Sequence, residues 1–381
     1  MSCTFPIARR DFIKQLAATA AAASSACATA QTSKTALPSR GLTVVQLVDV
    51  SISQQDVSRD FLIGSRAAWQ DINLKGGLKG KPVQHLALET DGTAAGIRAA
   101  LDTVKDNPNC LVLSGSVGDQ LAGQVISQLQ QGKLGIAHVA PWLQNSSLSI
   151  DQQTFPIFAA RQQQIQHALN TLSVMGLKEI GAVYATNSDY ERFREDVARI
   201  GTSMGLKVVS QQGENLTALG QKLSPASPAV LLFLGGTPEL AQFTQGLERQ
   251  ARQRYVVALA DVNLQTLLQM GGRRSTPIIV TQPVPLINSS AAVVRTYRDT
   301  MAKLFDEPPI PLSLAGFIAA RYTYEVLSQI EGTLSRQSVL GSFQKRDDVD
   351  LGGFRISFDA QRRSVAYVTQ SMTTVDGRLI G

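Results

Sequence analysis

The chain has 381 residues, 36 Lys and Arg against 30 Asp and Glu, and a formal charge of +6, which is enough length for two cores rather than one. The charges are interspersed instead of gathered into a stripe, which argues against nucleic-acid binding. Beyond the N-terminal stretch no second long apolar run occurs, which argues against a membrane span.

The first thirty residues read as an export signal: Arg9 and Arg10, then an uncharged Ala-rich segment ending in the small-x-small triplet Ala28-Thr29-Ala30. The run Arg9-Arg10-Asp11-Phe12-Ile13-Lys14 resembles a twin-arginine signal, with the general secretory route as the alternative. Cleavage after Ala30 would release a periplasmic protein beginning near Gln31. Cys27 is the competing lipid-attachment residue, but Ser24-Ser25-Ala26 lacks the large aliphatic residue of such sites. With Cys3 and Cys27 in the signal, Cys110 stands alone and no intramolecular disulfide is expected. Residues 31–40 form a flexible leader.

From Gly41 onward short apolar runs alternate with helical patterns. Leu42 to Val48 is strand-like, Phe61 to Ile72 has helical spacing, and the glycine-rich turn around Gly76-Gly77 and Gly80 stops that helix. Val83 to Leu88 is a strand and Gly96 to Lys105 a helix. Cys110 to Leu113, Gln120 to Gln131 and Gly135 to Val139 repeat the pattern. Later come the strand Ile180 to Tyr184, the helix Glu191 to Met204 and the strand Leu206 to Val209. Ala229 to Leu234, the helix Thr237 to Ala251, Val256 to Leu259 and Pro277 to Val280 complete the series. Short apolar strands between helices indicate parallel-rich sheets covered on both faces, here two Rossmann-like α/β lobes.

Catalytic signatures are weak. His85, His138 and His167 have no metal-ligand spacing; the first two sit in strand-like runs, where packed histidines are expected, and the third on a polar helix. Gly76 to Lys81 misses the leading glycine of a phosphate loop and has Pro82 where Ser or Thr should follow. Ser114 to Gly118 lacks nucleophile-elbow spacing. No cofactor, metal or enzymatic activity is expected.

Ligand capture is the simplest remaining task. In open α/β sheets, ligands sit beyond the carboxyl ends of strands. The residues there are Ser114, Gly115 and Ser116; Ala140, Pro141 and Trp142; Asn187 to Tyr190; Gly235 to Thr237; and Ala260, Asp261 and Asn263. Individually, such residues also serve as caps and turns.

The order of these features resembles the type I periplasmic binding proteins, in particular the leucine/branched-chain amino-acid-binding family of ABC transporter substrate-binding proteins. Asp71 to Lys81 resembles the family's "iNaaGGvnGk" helix end, and Ser313 to Ala320 its "eGyiaA" helix. Ser114-Gly115-Ser116, Gly235 to Glu239, Gln282 to Pro285 and the close from Leu351-Gly352-Gly353-Phe354 to Gly377-Arg378 match in order.

The resemblance implies two lobes joined by three crossovers, 41–159 with 284–338 and 160–283 with 339–381. It also implies hinge closure on a small ligand, docking on a membrane permease, and a monomer. Ser114 and Ser116 match the region that holds a ligand carboxylate, and Ala140, Pro141 and Trp142 the next binding loop. Tyr190 matches an aromatic residue of the opposite lobe. Thr237 stands where branched-chain receptors carry an aromatic residue, and Ala260, with Asp261 adjacent, stands at the ammonium-binding acid. Arg161 could pair with an anionic ligand. The implied ligand is a small carboxylate-bearing molecule, either an amino acid or an aromatic or other organic acid. The alternative function is a sensing module that presents its ligand to a receptor.

Overall fold

The computed structural model describes residues 42–51, 54–132, 134–270, 276–364, 367–373 and 379–380. The export signal, the leader, Cys3, Cys27 and Gly377-Arg378 lie outside them. The chain begins β1 (Leu42–Asp49), α1 (Gln55–Leu74), β2 (Val83–Thr90), α2 (Ala94–Asp106), β3 (Cys110–Ser114), α3 (Asp119–Gly132), β4 (Ala137–Val139) and β5 (Thr154–Phe155). It continues α4 (Arg161–Val174), β6 (Glu179–Tyr184), α5 (Asn187–Ser203), β7 (Lys207–Gln212), α6 (Leu216–Lys222), β8 (Val230–Leu234), α7 (Thr237–Leu247), β9 (Tyr255–Ala258), α8 (Leu264–Gln269) and β10 (Ile278–Gln282). Next come α9 (Ala292–Leu304), α10 (Pro311–Ser328), α11 (Arg336–Lys345), β11 (Val349–Asp350), β12 (Arg355–Ile356), β13 (Thr369–Thr373) and β14 (Leu379–Ile380).

Two sheets organise these elements. The first has order β2-β1-β3-β4-β5 and is parallel throughout. The second has order β14-β13-β10-β9-β8-β6-β7, parallel from β7 to β10 and antiparallel at β13 and β14. The strands most apolar in sequence are central: β1, β3 and β8 are buried at nearly every position because helices cover both faces. The chain passes between sheets after β5, after β10 and between β12 and β13.

Residues 339–381, expected with the second sheet, divide differently. Val339 and Phe343 of α11, with Val349, Phe354 and Ile356, join the first sheet's core, where the Phe343 ring packs on Phe155 and Tyr322. Among the described residues of this stretch, only β13 and β14 pair with the second sheet. Two Phe rings and a Tyr ring need apolar company, and the first core supplies it.

Arg336 fixes that placement. Its guanidinium donates to the carbonyls of Val104, Asn107 (2.6 Å) and Cys110 (2.8 Å), closing the C-terminal end of α2 against α11. Arg336→Ala is expected to cost about 2 kcal/mol, since charge-assisted bonds to carbonyls that water then reaches poorly are lost. The urea midpoint should fall with the slope unchanged; an unchanged midpoint would show that α11 docks through its apolar face alone.

Helices α1 and α10 approach unusually closely. A Cβ on Gly64 would stand 1.7 Å from the Ser313 carbonyl oxygen, and one on Gly316 would stand 1.9 Å from that of Phe61. Ser65 Oγ lies 3.2 Å from the carbonyl oxygens of both Phe61 and Gly316, stitching the crossing.

Boundaries shift where side chains are recruited elsewhere. The helix expected to run to Ala251 ends at Leu247, because Gln250 turns back to donate to the carbonyls of Gly220 (3.0 Å) and Gln221 (2.6 Å) at the end of α6. Cys110 is buried in β3, and burial pushes its thiol pKa up.

Candidate binding cleft

The carboxyl ends of strands from both sheets border a cleft of about 1410 Å³. From the first sheet come Asp49, Asp119 and Trp142; from the second come Thr186, Thr237 and Asp261. Of the residues singled out in the sequence, Trp142, Arg161, Asp189, Gly235, Gly236, Thr237, Ala260, Asp261 and Asn263 line this cleft together.

Ser114, Gly115, Ser116, Ala140, Pro141 and Tyr190 are placed elsewhere. Ser114 Oγ is 2.7 Å from Thr323 Oγ1, and Ser116 Oγ is 2.5 Å from His138 Nε2, both pairs buried. Gly115 adopts φ +74°, where a side chain would meet the Phe61 ring, and donates its N–H to Val139. Ala140 has a left-handed φ of 49° and donates to the Phe155 carbonyl, while the Pro141 carbonyl accepts from Leu143. Tyr190 stands edge-on to Tyr184 at 5.1 Å, beneath the Arg194 guanidinium. The loop carrying Trp142 rests on these residues: the Trp142 N–H donates to the Ser116 carbonyl at 2.7 Å, and its ring packs against Phe158 and Phe61.

Arg161, the first residue of α4, lies between two carboxylates. Its Nε and Nη2 donate to the two oxygens of Asp261 at 2.9 and 2.5 Å, and its Nη1 donates to Asp119. Phe193 covers the guanidinium at 5.7 Å. Burial alone would lower the Arg161 pKa, but Asp261 and Asp119 beside it raise it, so the group stays charged. Asp119 is itself held, since its Oδ1 accepts the backbone N–H groups of Gln144 (2.7 Å) and Asn145 (2.9 Å).

Behind this bridge, buried Gln164 ties the crossovers. Its Oε1 accepts from the Ala260 N–H and the Thr281 hydroxyl, both at 3.0 Å, and its Nε2 donates to Gln144 and to the Ala159 carbonyl. On the opposite wall Thr237 Oγ1 accepts the Asn263 N–H, and the Asn263 side chain caps α8. The first turn of α7 has no side-chain cap at Gly236. Asp119, Gln144 and Gln164 escaped the sequence reading; the only signals were an acid opening a helix after a Ser-rich loop and the polar run Arg161-Gln162-Gln163-Gln164.

The buried pair Ser116 and His138 is not arranged as a nucleophile and base. Ser116 and His138 are at most 1% exposed, the second ring nitrogen faces Thr154 rather than an acid, and burial holds the His138 pKa down to about 3. Among the described residues no group of His, Cys, Asp and Glu could hold a metal, and no helix is long and apolar enough to cross a membrane.

Two parallel-rich α/β sheets with a cleft at their strand ends make the type I periplasmic binding protein fold, and the comparisons agree. The profile of the periplasmic binding protein family matches residues 41–376, and the chain belongs to that family. Among solved structures it resembles an extracellular ligand-binding receptor from Verminephrobacter eiseniae, at 15% identity, TM-score 0.78, covering 90% of this chain and 100% of that one. It also resembles a substrate-binding periplasmic protein from Ralstonia solanacearum, at 22% identity, TM-score 0.75, covering 89% and 99%. A third is a branched-chain amino acid ABC transporter from Thermus thermophilus with bound valine, at 13% identity, TM-score 0.75, covering 90% and 95%. At these identities the likeness is one of fold. No curated protein matches in sequence.

Proposed function

We propose that the chain is the periplasmic solute-binding component of an ABC importer. It holds a small carboxylate-bearing solute in the cleft and delivers it to a membrane permease without chemical turnover. In this reading 42–159 with 284–356 and 160–283 with 367–380 are two lobes that close about three crossovers, and the protein works as a monomer. The observation that carries the reading is the cleft itself, walled by strand ends of both sheets, where closure buries a solute from two sides.

Residue roles follow from placement. The Trp142 ring offers an apolar wall, and Thr237 with the uncapped N–H groups opening α7 offers donors to a carboxylate. Ser114, Gly115, Ser116, Ala140 and Pro141 shape the loop that presents Trp142, and Tyr190 braces α5.

A thermal-shift screen tests this. The protein is unfolded and refolded to strip carried solute, then screened against amino acids, aromatic carboxylates, aliphatic acids and amides. A true ligand at a hundred times its dissociation constant should add roughly 2.7 kcal/mol of stability. Trp142→Ala should abolish the shift while the protein still folds. A shift that survives Trp142→Ala, or none across the panel, would overturn the reading.

A further inference from the structure

Arg161 starts α4 just after the chain leaves the first sheet, and its guanidinium reaches one carboxylate on each side of the cleft. Asp119 opens the helix that follows β3 of the first sheet, and Asp261 follows β9 of the second. We propose that Arg161 is an interlobe latch: its Nη1 contact with Asp119 sets the closing equilibrium of the cleft, and Arg161 is not a receptor for the ligand's carboxylate. The proposal rests on the two-lobe hinge reading above.

Three features support it. The bidentate pair to Asp261 joins two residues on the second-sheet side, so it aims the guanidinium without crossing the cleft. The bond to Asp119 does cross it. Second, Asp119 cannot swing aside for a competing carboxylate, because its other oxygen holds the Gln144 and Asn145 N–H groups, which would be orphaned. Third, the bridge is shielded: the side chains of Arg161, Asp119 and Asp261 are 15%, 21% and 27% exposed, and Phe193 lies over the guanidinium. A charge pair in that setting is screened less by water and salt than a surface pair.

The two aspartates therefore have different tasks. Asp261 positions Arg161, and Asp119 is the catch that Arg161 engages. Solute affinity then depends on a contact that never touches the solute, since the binding-competent fraction scales the apparent dissociation constant.

Spin labels report the opening. Cysteines replace the exposed Ser127 on α3 and Gln245 on α7, with Cys3 and Cys27 changed to Ser and Cys110 left buried. Double electron–electron resonance then reads the distance across the cleft in the full chain, with no solute needed. Asp119→Asn keeps an oxygen for the two backbone amides and removes the charge. It is expected to raise the ratio of long to short distances about tenfold, the size of one charge-assisted bond. Asp261→Asn should leave the short distance dominant. If Asp119→Asn does not fold, Arg161→Gln is read in its place, with the same tenfold shift expected.

An unchanged distribution in Asp119→Asn, or equal opening in Asp261→Asn, overturns the latch. If the wild-type distance still moves on adding a solute found by thermal shift, the hinge reading survives that result. One invariant distance in every sample would overturn both.

Discussion

Gly64→Ala or Gly316→Ala is expected to destabilise the protein by about 3 kcal/mol or more, a loss at the upper end for overpacking. At each position the added methyl would lie within 2 Å of a backbone carbonyl oxygen of the facing helix, Ser313 for Gly64 and Phe61 for Gly316. Backbone cannot rotate away as a side chain can, so α1 and α10 must separate and the packing around Phe61 and Phe317 must loosen. Gly341→Ala supplies the contrast. It lies within α11 with no atom near its missing Cβ, so alanine should stabilise by about 0.5–1 kcal/mol. Urea midpoints of the three variants check the pair of statements. Equal effects at Gly64 and Gly341 would mean that helix propensity, not the crossing, governs both.

Acid should begin to destabilise the protein above the carboxylate range. Burial holds the His138 pKa at about 3 in the folded state, against an ordinary value of 6.5. Below pH 6.5 the unfolded chain takes up a proton there that the folded chain refuses, so stability falls as pH falls and the loss is complete only below pH 3. Between pH 6.5 and 4.5 His138 alone should remove about 2 kcal/mol. His85 adds in the same direction: burial, then Arg66 nearby, lowers its pKa to about 4, though its ring reaches further toward solvent. Denaturant midpoints across this pH window measure the slope. His138→Gln should flatten it, and an unaltered slope in that variant would assign the acid sensitivity elsewhere.

Much of the fold was legible because its strands are buried on both faces. Continuous apolar runs such as Val230 to Leu234 have no reading other than a covered strand or buried helix, and their short length decides between these. The antiparallel strand Thr369–Thr373, which lies between β10 and β14, carried no such signal, since Thr, Gln, Ser and Met make a polar, half-buried strand. The site was legible as a set of loops but not as a set of side chains. Which way a hydroxyl points depends on a partner far along the chain. Ser114 meets Thr323, 209 residues on, and Arg161 meets Asp261, 100 residues on. No spacing rule reaches that far, so the serines and Asp261 could be read as ligand contacts or as caps and turns, and their distant partners could not.

The close crossing of α1 with α10 bears on the order in which the chain can fold. Ser65 and Gly316, in contact across that crossing, are separated by 251 residues, and the whole of the second sheet's parallel portion is synthesised between them. At ordinary elongation rates that interval is roughly 10–50 s, during which α1 has emerged but its partner groove does not yet exist. Over that time Phe61 and its neighbours, buried in the finished protein, have no α10 to cover them. The nascent chain thus offers a long-lived apolar face to any chaperone that meets it, and the first sheet's core is completed only after β6 to β10 of the second sheet have been synthesised.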